Sequence, residues 1–591
     1  MDFLKKTSFI TLIFTCLFLS IYRINNVSKK EISWDVLGYY LYLPATFVHH
    51  DPMMNDISWL QKVNEEKQLA GTLYMVSSND EGKPMYFFLM GTAILYSPFY
   101  FIGDYIAASN GYPTDGFSMP YQYSMVIGGI LFTIIGLIYF RKILLTFFSE
   151  KLTALLILLI VFGTNYIHHL TLKNLETVNL LFMLVSILIW FTIKWHQEQK
   201  FKHLLKIGIS ITLIGLIKPT EAIIILFPIL WNVTSKQLLF EKVNLLKRYK
   251  KQLIYTILIC LLIALPQISY WYIKTGHIIY DTYKNPGVGL DLTSPHILNI
   301  LFSFRKGWLI YTPIMLFSLI GFYHLYQNRK DIFYACFIYF IASFYIISSW
   351  SEWWYGAAFS VRPLITLYPI LAVSLGYFLL WIHSKSILFK FSITGSIIFF
   401  VFLNQFQWWQ LKNYILDPYR TTNAYYFRTF LKTSVTEDDQ KLLLIARDFT
   451  AMNEFKNQKE YKIKFSKTFS NKTIKENEEF SMIYEKPYKE LTEKDHLWIK
   501  GEIETYNTLK GDSVNVPILV FTFERKEGAY GYFPPEIKTY SKEPKWEKSV
   551  FNYLTPEIRN TKDRFKIYVW NRSKKELKIR NIRVTTFEKK D

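Results

Sequence analysis

Apolar residues gather in long runs up to about residue 410 and alternate singly with polar ones after about residue 435. The first pattern predicts helices and the second predicts strands. Eleven runs are long and poor in charge: 7–22, 121–140, 152–167, 175–195, 204–217, 221–232, 252–272, 308–325, 331–349, 363–382 and 390–408. A membrane crossing needs roughly 20 apolar residues, so 204–217 and 221–232 are short. They could form one helix interrupted at Lys218-Pro219. However, Lys200, Lys202 and Lys206 precede the pair, and Lys236, Lys242 and Lys247 follow it. Both ends therefore read as facing the same side, which requires a hairpin with Lys218 at its tip. The run at 85–107 reads as a helix lying along the membrane and broken at Pro98, because a crossing there would reverse every later loop.

Charge orients the bundle. Loops 1–6, 141–151, 194–206, 233–252, 326–332 and 383–390 hold 19 Lys and Arg, whereas the short loops 108–120, 163–174, 218–220, 273–307 and 350–362 hold 7. Positive loops face the cytoplasm. The expectation is a multi-pass α-helical protein of the cell (inner) membrane with about eleven crossings, its N-terminus inside and its C-terminus outside. Residues 7–22 follow Lys5-Lys6 as a signal peptide would, but no small-x-small cleavage pattern comes after them, so they read as a retained first helix. In the tail, Ile463 and Phe465, then Leu497, Ile499 and Ile503, then Phe565, Ile567 and Val569, and finally Ile582 and Val584 alternate with polar positions. Turn signals at Lys510-Gly511-Asp512 and Asn571-Arg572-Ser573 separate such runs, which predicts an antiparallel all-β sandwich. The resulting organisation is a membrane domain over 1–410, with a first outer loop at 23–120 carrying juxtamembrane helices. A linker at 411–436 and an extracytoplasmic β domain at 437–591 follow.

Composition narrows the function classes. Of the 591 residues 51% are hydrophobic, and the mean hydropathy is +0.13, which suits a bilayer partner. The net charge of +21 invites a nucleic-acid reading. Its excess lies in loops between apolar runs and in the tail, so no nucleic-acid partner is expected. Cys16, Cys260 and Cys336 all sit within apolar runs, which argues against a disulfide framework or a thiolate metal site. Aromatic residues crowd the ends of runs, as at Trp353-Trp354-Tyr355 and Trp408-Trp409, where rings with a polar edge favour the headgroup layer.

There is no phosphate-binding Gly-rich loop, His/Cys cluster or nucleophile elbow. What stands out is charge placed beside apolar segments, where it is costly. Asp35 lies in "SWDVLGYYLYLPATF", shortly after the first helix; taken alone it reads as a solvated loop acid. Lys83 lies in "NDEGKPMYFFLMGTAILYSPFYFIGDYIAAS" and Lys218 in "GLIKPTEAIIILFPILW". Arg305 lies in "FSFRKGWLIYTPIMLFSLIGFY" and Arg362 in "WSEWWYGAAFSVRPLITLYPIL". All four cations fall on the expected outer face.

Together these stretches resemble the GT-C superfamily of polytopic glycosyltransferases, which includes protein O-mannosyltransferases and lipid A aminoarabinose transferases. The resemblance covers roughly residues 1–410 and rests on the order of the motifs and their shared face. It implies a sugar donor carried on polyprenyl phosphate, an extracytoplasmic glycan, lipid or protein acceptor, and transfer with inversion. It gives Asp35 the part of general base. It gives Lys83, Lys218 and Arg362, with Arg305 behind them, the part of stabilising the leaving phosphate. Glu176, in "IHHLTLKNLETVNLLFM" beside His168 and His169, is placed like a second acid of these enzymes, although they more often show Asp there. No cofactor is certain, and a divalent cation stays open.

Other readings stand beside these. The lysines also fit snorkelling side chains that mark helix ends, and Glu176 fits an interfacial helix start. The closing "DRFKIYVWNRSKKELKIRNIRV" resembles the last strands of a carbohydrate-binding jelly roll, but a structural cap or docking domain would look alike. A transporter or flippase for lipid-linked sugars would carry its ionisable groups inside the bundle and show related halves. A non-catalytic membrane scaffold with a glycan-binding tail is a further alternative.

Overall fold

A computed structural model describes residues 6–283, 288–447, 454–506, 515–525, 528–537, 545–560 and 562–590. The chain divides into two compact units, Met1–Lys284 with Leu290–Gln440, and Lys441–Asp591 with Asn285–Gly289.

The first unit is helical. Its principal helices are α1 (Thr7–Asn25), α2 (Asp35–Tyr40), α3 (Gly91–Ser109), α4 (Met119–Phe147), α5 (Glu150–Phe162), α6 (Tyr166–Thr171) and α7 (Thr177–Glu198). They continue with α8 (Phe201–Ile217), α9 (Lys236–Arg248), α10 (Lys250–Thr275), α11 (Met315–Asn328), α12 (Lys330–Ser348), α13 (Tyr368–His383) and α14 (Ile387–Lys412). Among the described residues, seven segments are long and apolar enough to cross a membrane: α1, α4, α7, α10, α12, α13 with its 3-10 lead Arg362–Leu367, and α14. Every apolar run of the sequence is at least partly helical, but four give only shorter pieces. α5 stops at Gly163, α8 stops before Lys218-Pro219, and the run at 308–325 is split around Pro313, which lacks the N–H a continuing helix needs. The fourth piece, Pro219–Leu230, begins as the 3-10 turn Pro219–Ile225. α7 and α13 form the centre, with 78% and 83% of their apolar windows buried. α10 and α14 lie at the periphery, with 17% and 11% buried.

Pro98 does not break the helix in which it lies; α3 runs through it. The proline removes the donor that would have met the Ile94 carbonyl, and the Ser97 hydroxyl donates to that carbonyl instead, at 2.9 Å. Ahead of α3, strands β1 (Val76–Ser78) and β2 (Pro84–Tyr86) pair as an antiparallel hairpin. α2 packs against this region so closely that a Cβ on Gly38 would lie 2.5 Å from the Phe88 ring and 2.7 Å from Met75 Cβ. Residues 411–436 pack within the helical unit, where Tyr425 and Tyr426 of the short helix Asn423–Thr429 are buried.

The second unit is all β. Its strands are β3 (Tyr461–Phe469), β4 (Lys472–Ile474), β5 (Phe480–Pro487), β6 (Trp498–Tyr506), β7 (Ile518–Arg525), β8 (Gly528–Phe533), β9 (Trp546–Leu554), β10 (Arg564–Trp570) and β11 (Leu577–Lys589). They form two antiparallel sheets, ordered β5-β10-β7-β8 and β3-β11-β6-β9, with β4 also on β11. Ile499 and Ile503 of β6, and Ile582 and Val584 of β11, share one core with Phe521 of β7 and with Phe565, Ile567 and Val569 of β10. The sheets approach closely over Gly501, where a Cβ would stand 2.7 Å from the Phe521 ring. Ile463 departs from the expected alternation: it lies on edge strand β3, next to a register shift opposite Thr586/Phe587, and is 63% exposed. Residues 571–573 do form a turn, in which Asn571 donates to the Lys575 carbonyl at 2.8 Å. The expected turn at 510–512 lies outside the described residues.

Candidate active site

Arg362 joins three distant parts of the helical unit. Its Nη2 donates to Asp35 Oδ2 at 2.5 Å, and its Nη1 donates to Glu176 Oε2 at 3.0 Å. A guanidinium can hold two carboxylates at once because its donors form a rigid fork. Each carboxylate sits at a helix start: Asp35 is the first residue of α2, and Glu176 is the N-cap of α7. Backbone N–H groups there favour negative charge. The Glu176 side chain does not cap its own helix but turns to Arg362.

Buried polar contacts fix this geometry. Arg23, fully buried at the end of α1, donates through Nε to Asn174 Oδ1 at 2.7 Å and pairs with Glu31. The Ile32 N–H meets Gln122 Oε1 of α4 at 2.9 Å. These bonds tie the approach to Asp35, and the loop before Glu176, to the helix bundle. Trp34, directly ahead of Asp35, has φ 51° and ψ −128°, a conformation costly for any residue with a Cβ. Tyr355 and Ser360, in the loop leading to Arg362, also have positive φ, 51° and 59°. Strain of this kind persists only where the surroundings impose it.

Exposure separates the two acids. The Asp35 side chain is 21% exposed and that of Arg362 19%, whereas Glu176 is 9% exposed and the neighbouring His169 is fully buried. Asp35 Oδ1 accepts from the Tyr74 hydroxyl. His169 Nδ1 approaches Glu176 Oε2 at 3.3 Å, close enough for charge to act but not aligned as a hydrogen bond. Burial alone would raise the Glu176 carboxyl. The Arg362 charge, and then His169, outweigh it and hold Glu176 well below the usual carboxylate range. Burial pushes His168 well below the usual imidazole range, so it stays neutral.

The remaining candidates fall into distinct places. Lys218, in extended conformation at the end of α8, lies 3.3 Å from Glu221 Oε1 and 5.7 Å above the Tyr355 ring. Glu221 is buried and accepts from Thr366 Oγ1, one turn beyond Arg362, at 3.3 Å. Arg305 is nearly buried; its guanidinium stacks 4.4 Å from the Trp354 ring, and its Nε donates to the Tyr419 carbonyl at 2.7 Å. Lys83 stands apart from the acids at the tip of the β1–β2 hairpin, 65% exposed and paired with Glu81 at 2.7 Å. Three participants escaped the sequence reading. Lys306, 1% exposed, donates to the carbonyls of Ala358 and Pro418, and burial, then Arg305 and Arg362, push its ammonium well below the usual lysine range. It follows Arg305 in the same motif and could have been noted there. Glu221 was legible as an i, i+3 partner of Lys218. Tyr74 carried no local signal.

Among the described residues, no group of three or more His, Cys, Asp or Glu is arranged to hold a metal ion. The space between the two carboxylates is occupied by Arg362. A cleft of about 380 Å³ opens between α3 and α4, lined by Phe99, Ile102, Ile106, Tyr123 and Ile127. It is apolar, and neither acid lines it.

Comparison with models of known protein families matches none, and comparison with characterised proteins likewise finds no match.

Proposed function

We propose that this chain is a GT-C-like membrane glycosyltransferase that moves a sugar from a polyprenyl-phosphate carrier to an extracytoplasmic acceptor. The observation that carries this reading is the Arg362 bridge: one cation between a partly exposed carboxylate and a buried one, each at the start of a helix. Asp35 takes the proton of the acceptor hydroxyl as that oxygen attacks the anomeric carbon. The bond from that carbon to the phosphate oxygen breaks, and its electron pair leaves on the lipid phosphate. Tyr74 and Arg362 each occupy one Asp35 oxygen, but a carboxylate oxygen has a second lone pair with which to accept the proton. Glu176 stays buried and orients Arg362. Lys218 and Arg362 are the cations this reading gives to the growing phosphate charge, with Arg305 behind them. Lys83, paired with solvent-facing Glu81, supports a donor-binding part least.

The same reading has about eleven crossings, the N-terminus inside, and the C-terminal β unit outside as a jelly roll. Its test is a membrane assay with polyprenyl-phosphate sugars, comparing the wild type with Asp35→Asn. Consumption of the lipid-linked sugar by the wild type alone supports it. Equal turnover by both moves the base elsewhere.

Glu221 gives the flippase reading its own footing, because a buried acid on a broken helix is what carriers place at their ion sites. In that case Glu221→Gln stops movement of the lipid-linked sugar across the bilayer, while no sugar is transferred at any stage.

A further inference from the structure

Helix α9 presents two faces that the helical bundle does not use. It is N-capped by Ser235, whose hydroxyl accepts from the Leu238 N–H at 3.2 Å. Its inner side is anchored by Lys242, which is buried and donates to the Trp231 carbonyl at 2.7 Å and to His196. Leu245 and Leu246 pack beside it, partly buried. Next to this anchored side runs an open stripe: Leu239 is 42% exposed, Phe240 71% and Val243 42%. At 100° per residue these three span an arc of about 100°, bounded beyond Phe240 by the polar edge of Asn244, Gln237 and Glu241, with Lys236 and Lys247 set within the arc, where their stems can run along it to the headgroups. Such a stripe facing water would be unfavourable.

The charge around it is one-sided. Between residues 236 and 251 there are six cations and a single acid, Glu241. Lys242 is spent on the anchor, and burial lowers it to about 8. The other five, Lys236, Lys247, Arg248, Lys250 and Lys251, are all exposed. α9 also leads directly into α10, whose apolar surface faces outward at Tyr255 (60%), Leu258 (55%) and Leu262 (67%). α10 is long and apolar enough to cross a membrane. The open stripe of α9 therefore lies at the end of a lipid-facing helix, with basic residues within it and beside it.

We propose that α9 lies in the headgroup layer as an interfacial helix, with Leu239, Phe240 and Val243 dipping toward the acyl chains and the five exposed cations holding anionic phospholipid headgroups. An amphipathic helix with a basic edge binds through both terms, apolar burial and attraction to anionic lipid. Anionic lipid fits better than a second protein copy, because the basic residues are gathered at the junction with the membrane-length helix. This seat exists whether or not Asp35 transfers sugar.

The test uses the full-length protein in nanodiscs, which leave both membrane faces open to reagent, so it does not depend on orientation. Single cysteines at Leu239→Cys and Val243→Cys report the stripe, and Gln237→Cys and Glu241→Cys report the polar edge. Their reaction with a membrane-impermeant maleimide is followed in phosphatidylcholine discs and in discs of phosphatidylcholine mixed with phosphatidylglycerol. The stripe positions should lose reactivity in the anionic discs, while the polar-edge positions keep it. Combining Lys247→Gln, Arg248→Gln, Lys250→Gln and Lys251→Gln should remove that dependence on lipid charge. Equal reactivity of stripe and polar edge in anionic discs overturns the proposal. So does protection that is unchanged by lipid charge or by the Gln variants. Protection that follows the number of protein copies per disc assigns the stripe to a second copy and overturns it as well.

Discussion

Asp35 and Glu176 are chemically alike and differently placed, and the consequences of altering them differ accordingly. Asp35→Asn keeps size and polarity but cannot take a proton. We expect glycosyl transfer to fall by about a hundred- to ten-thousand-fold, with membrane insertion and protein level unchanged. The measurement is turnover of polyprenyl-phosphate sugar in membranes alongside an immunoblot. Lys218→Ala should weaken donor use less, because Arg362 and Arg305 remain. Arg362→Lys tests the bridge itself. A lysine keeps the charge but lacks the fork that reaches Asp35 and Glu176 together. Activity should drop nearly as far as in Asp35→Asn, and keeping the charge alone should not rescue it. Near-normal turnover by Arg362→Lys would mean that the fork geometry is irrelevant.

Individual elements follow local rules with legible exceptions. Pro98 suggested a break, yet α3 continues because the preceding serine supplies the missing donor. Lys218-Pro219 does interrupt its segment, and a 3-10 turn stands in for the regular helix from Pro219 to Ile225. In the β unit, Gly501 of β6 leaves room for the Phe521 ring of β7, and Gly501→Val would drive a branched side chain into that ring. Overpacking of this kind typically costs about 1–3 kcal/mol, which urea unfolding of the segment from residue 441 onward should show. The same segment should lose stability on acidification. Hydrogen bonds from Arg564, Lys548 and Arg580 hold Glu485, Glu502 and Glu504, respectively, below the usual carboxylate range. Carboxyls lowered in this way stabilise the fold above their unfolded value of about 4.3 and lose that contribution as pH falls through their folded values. Buried Asp563 is raised and works in the opposite sense, favouring the fold at low pH, but it is outweighed by these three together with Glu478, Asp495 and Glu588, which are lowered as well. The melting temperature should therefore fall below about pH 5, and added salt should blunt the fall because the three pairs are partly solvent-exposed. A flat profile would show that these pairs contribute nothing.

At the scale of the molecule, the division into a helical part and an all-β part was readable from the change of period near residue 435, because that change reflects what each part must bury. The number of membrane-length helices was less readable. Apolar runs such as 152–167 and 308–325 mark where a segment is buried but not where Gly163 or Pro313 interrupts it. The candidate site was legible as a set of residues and not as a set of partners. Asp35, Glu176 and Arg362 were each visible as charge beside apolar sequence, whereas nothing local shows that Arg362 binds both acids or that Lys83 binds neither. The orientation derived from loop charge is tested directly: a reporter fused after Asp591 should read as extracytoplasmic, and one inserted within 236–250 as cytoplasmic. A cytosolic C-terminus would place Asp35 away from any external acceptor.

The Arg362–Asp35 contact spans 327 positions of the chain. At synthesis rates of about 5–20 residues per second, roughly 15 to 65 seconds separate the emergence of the acid from that of its counter-ion. Asp35 waits through the whole of that interval and Glu176 through its last 186 positions, each without the cation that joins them. A chain stopped before residue 362 would carry two unmatched acids at the membrane, and a completed one would not. Chains truncated before residue 362 should accordingly turn over faster in a pulse-chase than chains truncated just after the helix that Arg362 leads into, and Asp35→Asn with Glu176→Gln should narrow that difference.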